Sequence, residues 1–173
     1  MSAKKRLRAG RIIVVAAAAA LVLRSFVVDA HIVRGRSMEP AISPDSLVLV
    51  LRCAYGLPRA LLPGYLVAWS EPRPGDVVVS DAALAGGSRT VKRVFETGPA
   101  FVRVENGELV GRGGRAVLSD AQKVRLAHGL YIPAGHVYLV GDNRMESWDS
   151  RDYGPVPIEK VRGRVVLCPL GCP

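Results

Sequence analysis

The feature that most constrains this chain is an apolar run from Ile12 to Val28, broken only by Arg24 and Ser25 and preceded by a basic stretch over residues 1–11. Its seventeen residues would rise about 26 Å as a helix, close to a hydrocarbon core of about 30 Å. Gly10 and its neighbours can lengthen such a helix, and Arg24 can snorkel to an interface. Basic flanks stay on the cytoplasmic side. The run therefore predicts a cytoplasmic tail over 1–11, a transmembrane anchor over 12–28 and an extracytoplasmic domain over 29–173. The rival is a cleaved secretory signal, because Val28-Asp29-Ala30 offers a small residue at a cleavage position. The run is long for that, and cleavage there would leave the serine discussed below on a frayed terminus.

Charge is informative only once it is placed along the chain. The net charge of +9 suggests nucleic acid, but Lys4, Lys5, Arg6, Arg8, Arg11 and Arg24 all precede the first acid. From Asp29 onward 18 basic residues are interspersed with 15 acidic ones, with no basic stripe or nucleic-acid module. Nucleic acid is therefore not an expected partner. Cys53, Cys168 and Cys172 allow at most one disulfide and supply no metal-ligand spacing, so a terminal staple or free thiols is the expectation.

Beyond the run the chain reads as short strands between Gly and Pro turns. Ser46 to Arg52 is a buried strand after the turn Ser43-Pro44-Asp45, and Val77 to Val79 follows Pro74-Gly75-Asp76. Arg89 to Glu96 alternates, with Thr90, Lys92 and Val94 on one face. Asn106-Gly107 marks a hairpin, and strands follow at Val137 to Val140 and Val161 to Leu167. The Pro-punctuated stretch Tyr55 to Trp69 reads as loop-like and lipid-facing. The predicted fold is mainly β, an antiparallel barrel-like or sandwiched domain behind one N-terminal helix.

Three stretches carry the chemistry. The first is Gly35-Arg36-Ser37-Met38-Glu39-Pro40, where Ser37 sits nine residues after the apolar run. Extended chain of that length reaches at most about 30 Å, so Ser37 would work close to a membrane surface. A serine hydroxyl needs a base to become a nucleophile. None of His31, His128 and His136 is singled out by its surroundings. The second stretch is Thr90-Val91-Lys92-Arg93-Val94. The chain has 19 Arg and five Lys, and a guanidinium cannot give up its proton where a buried amine can. Lys92 on a strand face beside Val94 suits a base whose pKa is lowered by apolar walls. The third stretch is Gly141-Asp142-Asn143-Arg144-Met145-Glu146-Ser147-Trp148-Asp149-Ser150-Arg151. It is rich in groups that pair, and Ser147 could orient the amine.

Together with Gly75-Asp76-Val77-Val78-Val79, these stretches in this order resemble type I signal peptidases, the membrane-anchored Ser/Lys endopeptidases of bacteria. The resemblance implies Ser37 as nucleophile, Lys92 as general base and then acid, and Ser147 as the hydroxyl orienting Lys92. Arg93, Asp142, Asp149 and Arg151 would be supporting charge pairs. The Ser37 N–H would serve the oxyanion hole, and Gly35 stands where some members carry a Ser or Thr hydroxyl. The resemblance also places Ile32, Val33, Met38 and Ile42 along the pockets for small substrate residues, with no cofactor and no metal. Its partners would be signal peptides of secreted preproteins and the lipid bilayer, with the enzyme a monomer in the bacterial inner membrane. The alternatives are a specialised processing peptidase of the conjugation or pilus type, and a non-catalytic membrane-tethered peptide-binding β domain. A self-cleaving repressor-type Ser/Lys protein would lack the apolar run and carry a DNA-binding module.

Overall fold

The structure is a computed structural model that describes residues 3–59, 64–81 and 89–170. Helix α1 (Ala3–Phe26) leads through one residue into strand β1 (Val28–Ile32). Strand β2 (Leu47–Leu51) follows, then the short strands β3 (Gly56–Pro58) and β4 (Tyr65–Ala68), then β5 (Val77–Ser80) and β6 (Thr90–Thr97). The second half comprises β7 (Ala100–Glu105), β8 (Glu108–Gly111), β9 (Gly114–Val117), α2 (Asp120–Arg125), β10 (Leu130–Ile132), β11 (His136–Val140), α3 (Ser150–Tyr153), β12 (Val156–Pro157) and β13 (Val161–Leu170). The protein is mainly β and its sheets are antiparallel.

A seven-stranded sheet runs in the order β1-β2-β13-β5-β6-β11-β12, and a four-stranded sheet in the order β10-β7-β8-β9. The larger sheet begins at β1 and ends at the two-residue β12, with no pairing between them among the described residues. The expectation of a barrel is therefore corrected: the sheet is open, and β1 is an edge. An open edge matters for function because it presents unpaired backbone groups.

Period-two alternation explains the core. Strand β11 sends Tyr138 and Val140 into one apolar cluster with Phe95, Val102, Leu109 and Ile132, and Val137 and Leu139 into another with Tyr55, Val78 and Val156. Strand β6 is likewise split, Phe95 to the first and Val94 to the second. A third cluster joins Val33, Met38, Ile42, Val48, Val50 and Val79 beneath the turn that carries Ser37. Both faces of β6 are thus covered, which is what buries a lysine placed on it.

Within the stretch from Tyr55 to Trp69, β3 and β4 pair as antiparallel strands rather than forming a loop, with residues 60–63 between them outside the described residues. Leu57 pairs with Val67 and Gly56 with Ala68, where a Cβ on residue 56 would lie 2.4 Å from the Val67 carbonyl oxygen. Tyr55 turns into the core, whereas Leu57, Leu66, Val67 and Trp69 are exposed. Leu61 and Leu62 lie outside the described residues, as does Cys172. Cys53 is a free thiol and Cys168 is in a disulfide.

Helix α1 is apolar through its middle, and Ile12, Ile13, Val14, Val15, Leu21 and Val22 are all exposed. Among the described residues no helix is long and apolar enough to cross a membrane. The helix ends at Phe26, and Val28, the last residue of the apolar run, already pairs with Leu51 as a strand.

Candidate active site

Ser37 sits in a turn between β1 and β2 that is tied off at its base. The Val33 N–H donates to the Ser46 carbonyl at 2.9 Å and the Asp45 N–H returns to the Val33 carbonyl at 2.7 Å. Gly35 supplies the left-handed φ of +86° that the turn requires. Met38 and Ile42 plug the turn into the third apolar cluster, and the Ile42 N–H closes on the Met38 carbonyl at 2.9 Å. Ser37 directly precedes the buried Met38 and lines the cleft.

Lys92 reaches it from β6, 55 residues away in sequence: Nζ donates to Ser37 Oγ at 2.6 Å. Pairing of β5 with β6 sets Val78 opposite Lys92, on the same face of the sheet. Only 4% of Lys92 is exposed. Burial pushes its pKa down from the ordinary lysine value; Asp149 opposes this, Arg151 adds to it, and Asp142 opposes it.

The residue after Lys92 secures the other wall. Arg93 forks onto Asp142, Nε to Oδ1 at 2.8 Å and Nη2 to Oδ2 at 2.6 Å, and its Nη1 donates to the Gly75 carbonyl at 2.9 Å. The fork raises the Arg93 pKa. Residue Asn143, next to Asp142, donates its N–H to the Ser37 carbonyl at 3.0 Å. Two neighbours on β6 thus hold the Ser37 turn, Lys92 directly and Arg93 through the 142–143 loop.

Beneath that loop lies a fully buried ion pair. Arg151 Nε and Nη2 reach Asp149 Oδ1 and Oδ2, each at 2.9 Å, and Nη1 donates to the Val117 carbonyl at 2.7 Å. Asp149 also accepts the Gly141 N–H at 2.9 Å and caps α3, with Asp152 completing a capping box. One carboxylate therefore fixes both the start of the loop and the helix that ends it.

The other predicted site residues are placed unevenly. A cleft of about 660 Å³ is walled by residues 31–37 on one side and 89–92 on the other, with Glu146 and Trp148 along it. Ile32 and Val33 line it. Met38 is fully buried, and Ile42 borders a separate recess with Ala41, Gly75 and Val165, so neither stands on the cleft wall. Their apolar side chains anchor the Ser37 turn instead. Ser147 is buried close by, yet its Oγ makes no hydrogen bond among the described residues and does not hold Lys92. Its Oγ lies against Gly141, where an added Cβ would come within 2.2 Å of it, and the amine is engaged with Ser37 instead. Of the histidines, His31 lines the cleft beside Asp29 at 3.3 Å and His136 turns to the Ala134 carbonyl at 3.1 Å. Sequence reasoning missed Asn143; only its place beside Asp142, in a stretch already dense in pairing groups, could have drawn attention to it.

Residues 6–169 match the family described as signal peptidase, peptidase S26, and the chain belongs to that family. Among similar proteins, mitochondrial inner membrane protease subunit 1 of Mus musculus is 31% identical over 134 residues, 76% of this chain and 63% of that protein. Signal peptidase I of Pseudomonas aeruginosa is 28% identical over 171 residues, 81% of this chain and 60% of that protein. The chain thus spans less than two thirds of the length of these relatives. A crystal structure of a signal peptidase I from Enterococcus faecalis aligns with a TM-score of 0.41 and 21% identity, over 57% of this chain and all of that one.

Proposed function

We propose that this chain is a membrane-bound serine endopeptidase that removes signal peptides from exported preproteins after small residues, using Ser37 and Lys92 through an acyl-enzyme. The observation that carries this reading is the 2.6 Å contact between Lys92 Nζ and Ser37 Oγ with the amine out of water. Neutral Lys92 accepts the Ser37 hydroxyl proton as Oγ attacks the scissile carbonyl. Collapse of the tetrahedral intermediate breaks the C–N bond, and Lys92 gives the proton to the leaving amine. Lys92 then takes a proton from water, the hydroxide attacks the ester, and Ser37 recovers its proton. The Ser37 N–H stabilises the oxyanion. Arg93 with Asp142, and Asp149 with Arg151, keep the walls in place.

The cleft between residues 31–37 and 89–92 suits an extended peptide laid as an added strand, with Ile32 and Val33 facing it. Small substrate residues fit a wall made of backbone and branched side chains. For the anchor, the support is the chain's own pattern: the apolar residues of α1 from Ile12 to Val22 are exposed, and the basic residues from Lys4 to Arg11 precede them in the same helix. The N-terminus would then be cytoplasmic and the β domain outside, acting as a single chain at the lipid surface of a bacterial inner membrane. The likeness to a mitochondrial inner membrane protease subunit favours a second reading, a specialised processing peptidase with the same chemistry and a narrower set of substrates.

Mass spectrometry of the products from a signal-bearing preprotein tests the proposal. Wild type should yield one cut after a small residue, Ser37→Ala and Lys92→Ala none, and His136→Ala the wild-type product. Cleavage surviving in both the Ser37 and Lys92 variants would overturn the dyad.

A further inference from the structure

Asn143 holds the nucleophile's backbone from outside its own turn. Besides the main-chain bond to the Ser37 carbonyl, its Nδ2 donates to the Arg36 carbonyl at 3.2 Å. That carbonyl also accepts the Glu39 N–H at 3.1 Å, so it is held by two donors. The amide's orientation is set by its surroundings. The other acceptor beside Nδ2 is Glu146 Oε2 at 3.5 Å, and an oxygen in that place would face two oxygens.

A trans peptide is planar, and its carbonyl and the N–H that follows point opposite ways within one plane. The unit joining Arg36 to Ser37 is trans, so its N–H cannot swing without moving a carbonyl that is pinned. The Ser37 N–H itself donates to no group among the described residues, and Ser37 lines the cleft. With Gly35 two positions before the nucleophile, no side-chain hydroxyl stands there to share the work, and the direction of this one N–H matters more.

We propose that Asn143 is a positioning residue: its carboxamide locks the Arg36–Ser37 peptide so that the Ser37 N–H is aimed at the oxyanion of the tetrahedral intermediate. The inference rests on the peptidase reading above. Negative charge appears on the substrate oxygen only as Ser37 attacks, so a fixed donor favours the transition state over the bound substrate. Asn143 touches no reacting atom and acts through the peptide it holds.

The test uses the full chain and two variants. Asn143→Ala removes the donor, and the isosteric Asn143→Asp sets an acceptor against the Arg36 carbonyl. On a preprotein-derived peptide, kcat should fall on the order of 10- to 100-fold in both, with KM near its wild-type value. A peptide aldehyde that adds to Ser37 should lose affinity by the same factor, while an unreactive product peptide binds as before. In Asn143→Ala the pH midpoint of kcat/KM should not move, because no charge near Lys92 changes, whereas the new carboxylate of Asn143→Asp should raise it. Unchanged kcat in both variants, equal weakening of the aldehyde and the product peptide, or a shifted pH midpoint in Asn143→Ala would each overturn the inference while the dyad stands. A wild-type chain that cleaves nothing overturns the peptidase reading, and this inference with it.

Discussion

Lys92 shows how one buried side chain ties stability to chemistry. Its pKa in the folded chain is lowered by burial, whereas in the unfolded chain it sits near the ordinary lysine value of about 10.4. Between those two values the unfolded chain holds a proton that the folded chain lacks, so stability climbs with pH across that window and levels off above it. Below the folded value the charged amine is buried and its cost is constant. Lys92→Met removes this titration. Its melting temperature relative to wild type should be most favourable at low pH and lose ground as pH rises; a pH-independent difference would show that the amine is not desolvated. The same shift places the rise of kcat/KM with pH below the ordinary lysine range. That Lys92 is a buried amine was legible from its type and strand position, since the alternation set it beside Val94 and arginine cannot give up its proton. That Ser147 does not hold it was not legible, because a hydroxyl's direction depends on what packs against it, here the bare Cα of Gly141.

The loop from Gly141 to α3 is organised by Asp149 at its base as well as by the contacts of Asp142 and Asn143 with the site. Asp149 and Arg151 have side chains 0% and 1% exposed, and removing one partner strands the other in a low-dielectric interior. Asp149→Ala should therefore cost about 3–5 kcal/mol in denaturant unfolding, and a loss under about 1 kcal/mol would mean that water enters beneath the loop. Strands were readable wherever one residue type alternated or a turn dipeptide stood between runs: Asn106-Gly107 does join β7 to β8, and Val77 to Val79 lies within β5. The β3–β4 hairpin was not readable, because Pro58 and Pro63 suggest a break and its pairing depends on a glycine, Gly56, that lets the Val67 carbonyl approach. Nor was the open sheet, since strand order depends on long-range pairing, such as β13 lying between β2 and β5, that no local pattern encodes.

At the scale of the whole molecule, the exposed apolar residues are not scattered evenly. The Arg52 N–H donates to the Val27 carbonyl at 2.8 Å, tying the turn before the β3–β4 hairpin to the residue that follows α1. The hairpin's Leu57, Leu66, Val67 and Trp69 are exposed, and so is the apolar middle of α1. On the anchoring proposed above, the exposed apolar residues of the β3–β4 pair would rest on the same lipid surface as α1. The two tryptophans, Trp69 on the hairpin side and Trp148 at the cleft, make this measurable. In a Trp148→Phe chain reconstituted into vesicles, brominated lipids should quench Trp69 fluorescence, and replacing Leu57, Leu66 and Val67 by Ser should relieve the quenching. Trp69 emitting as a water-exposed indole with no quenching would show that the hairpin stands clear of the lipid.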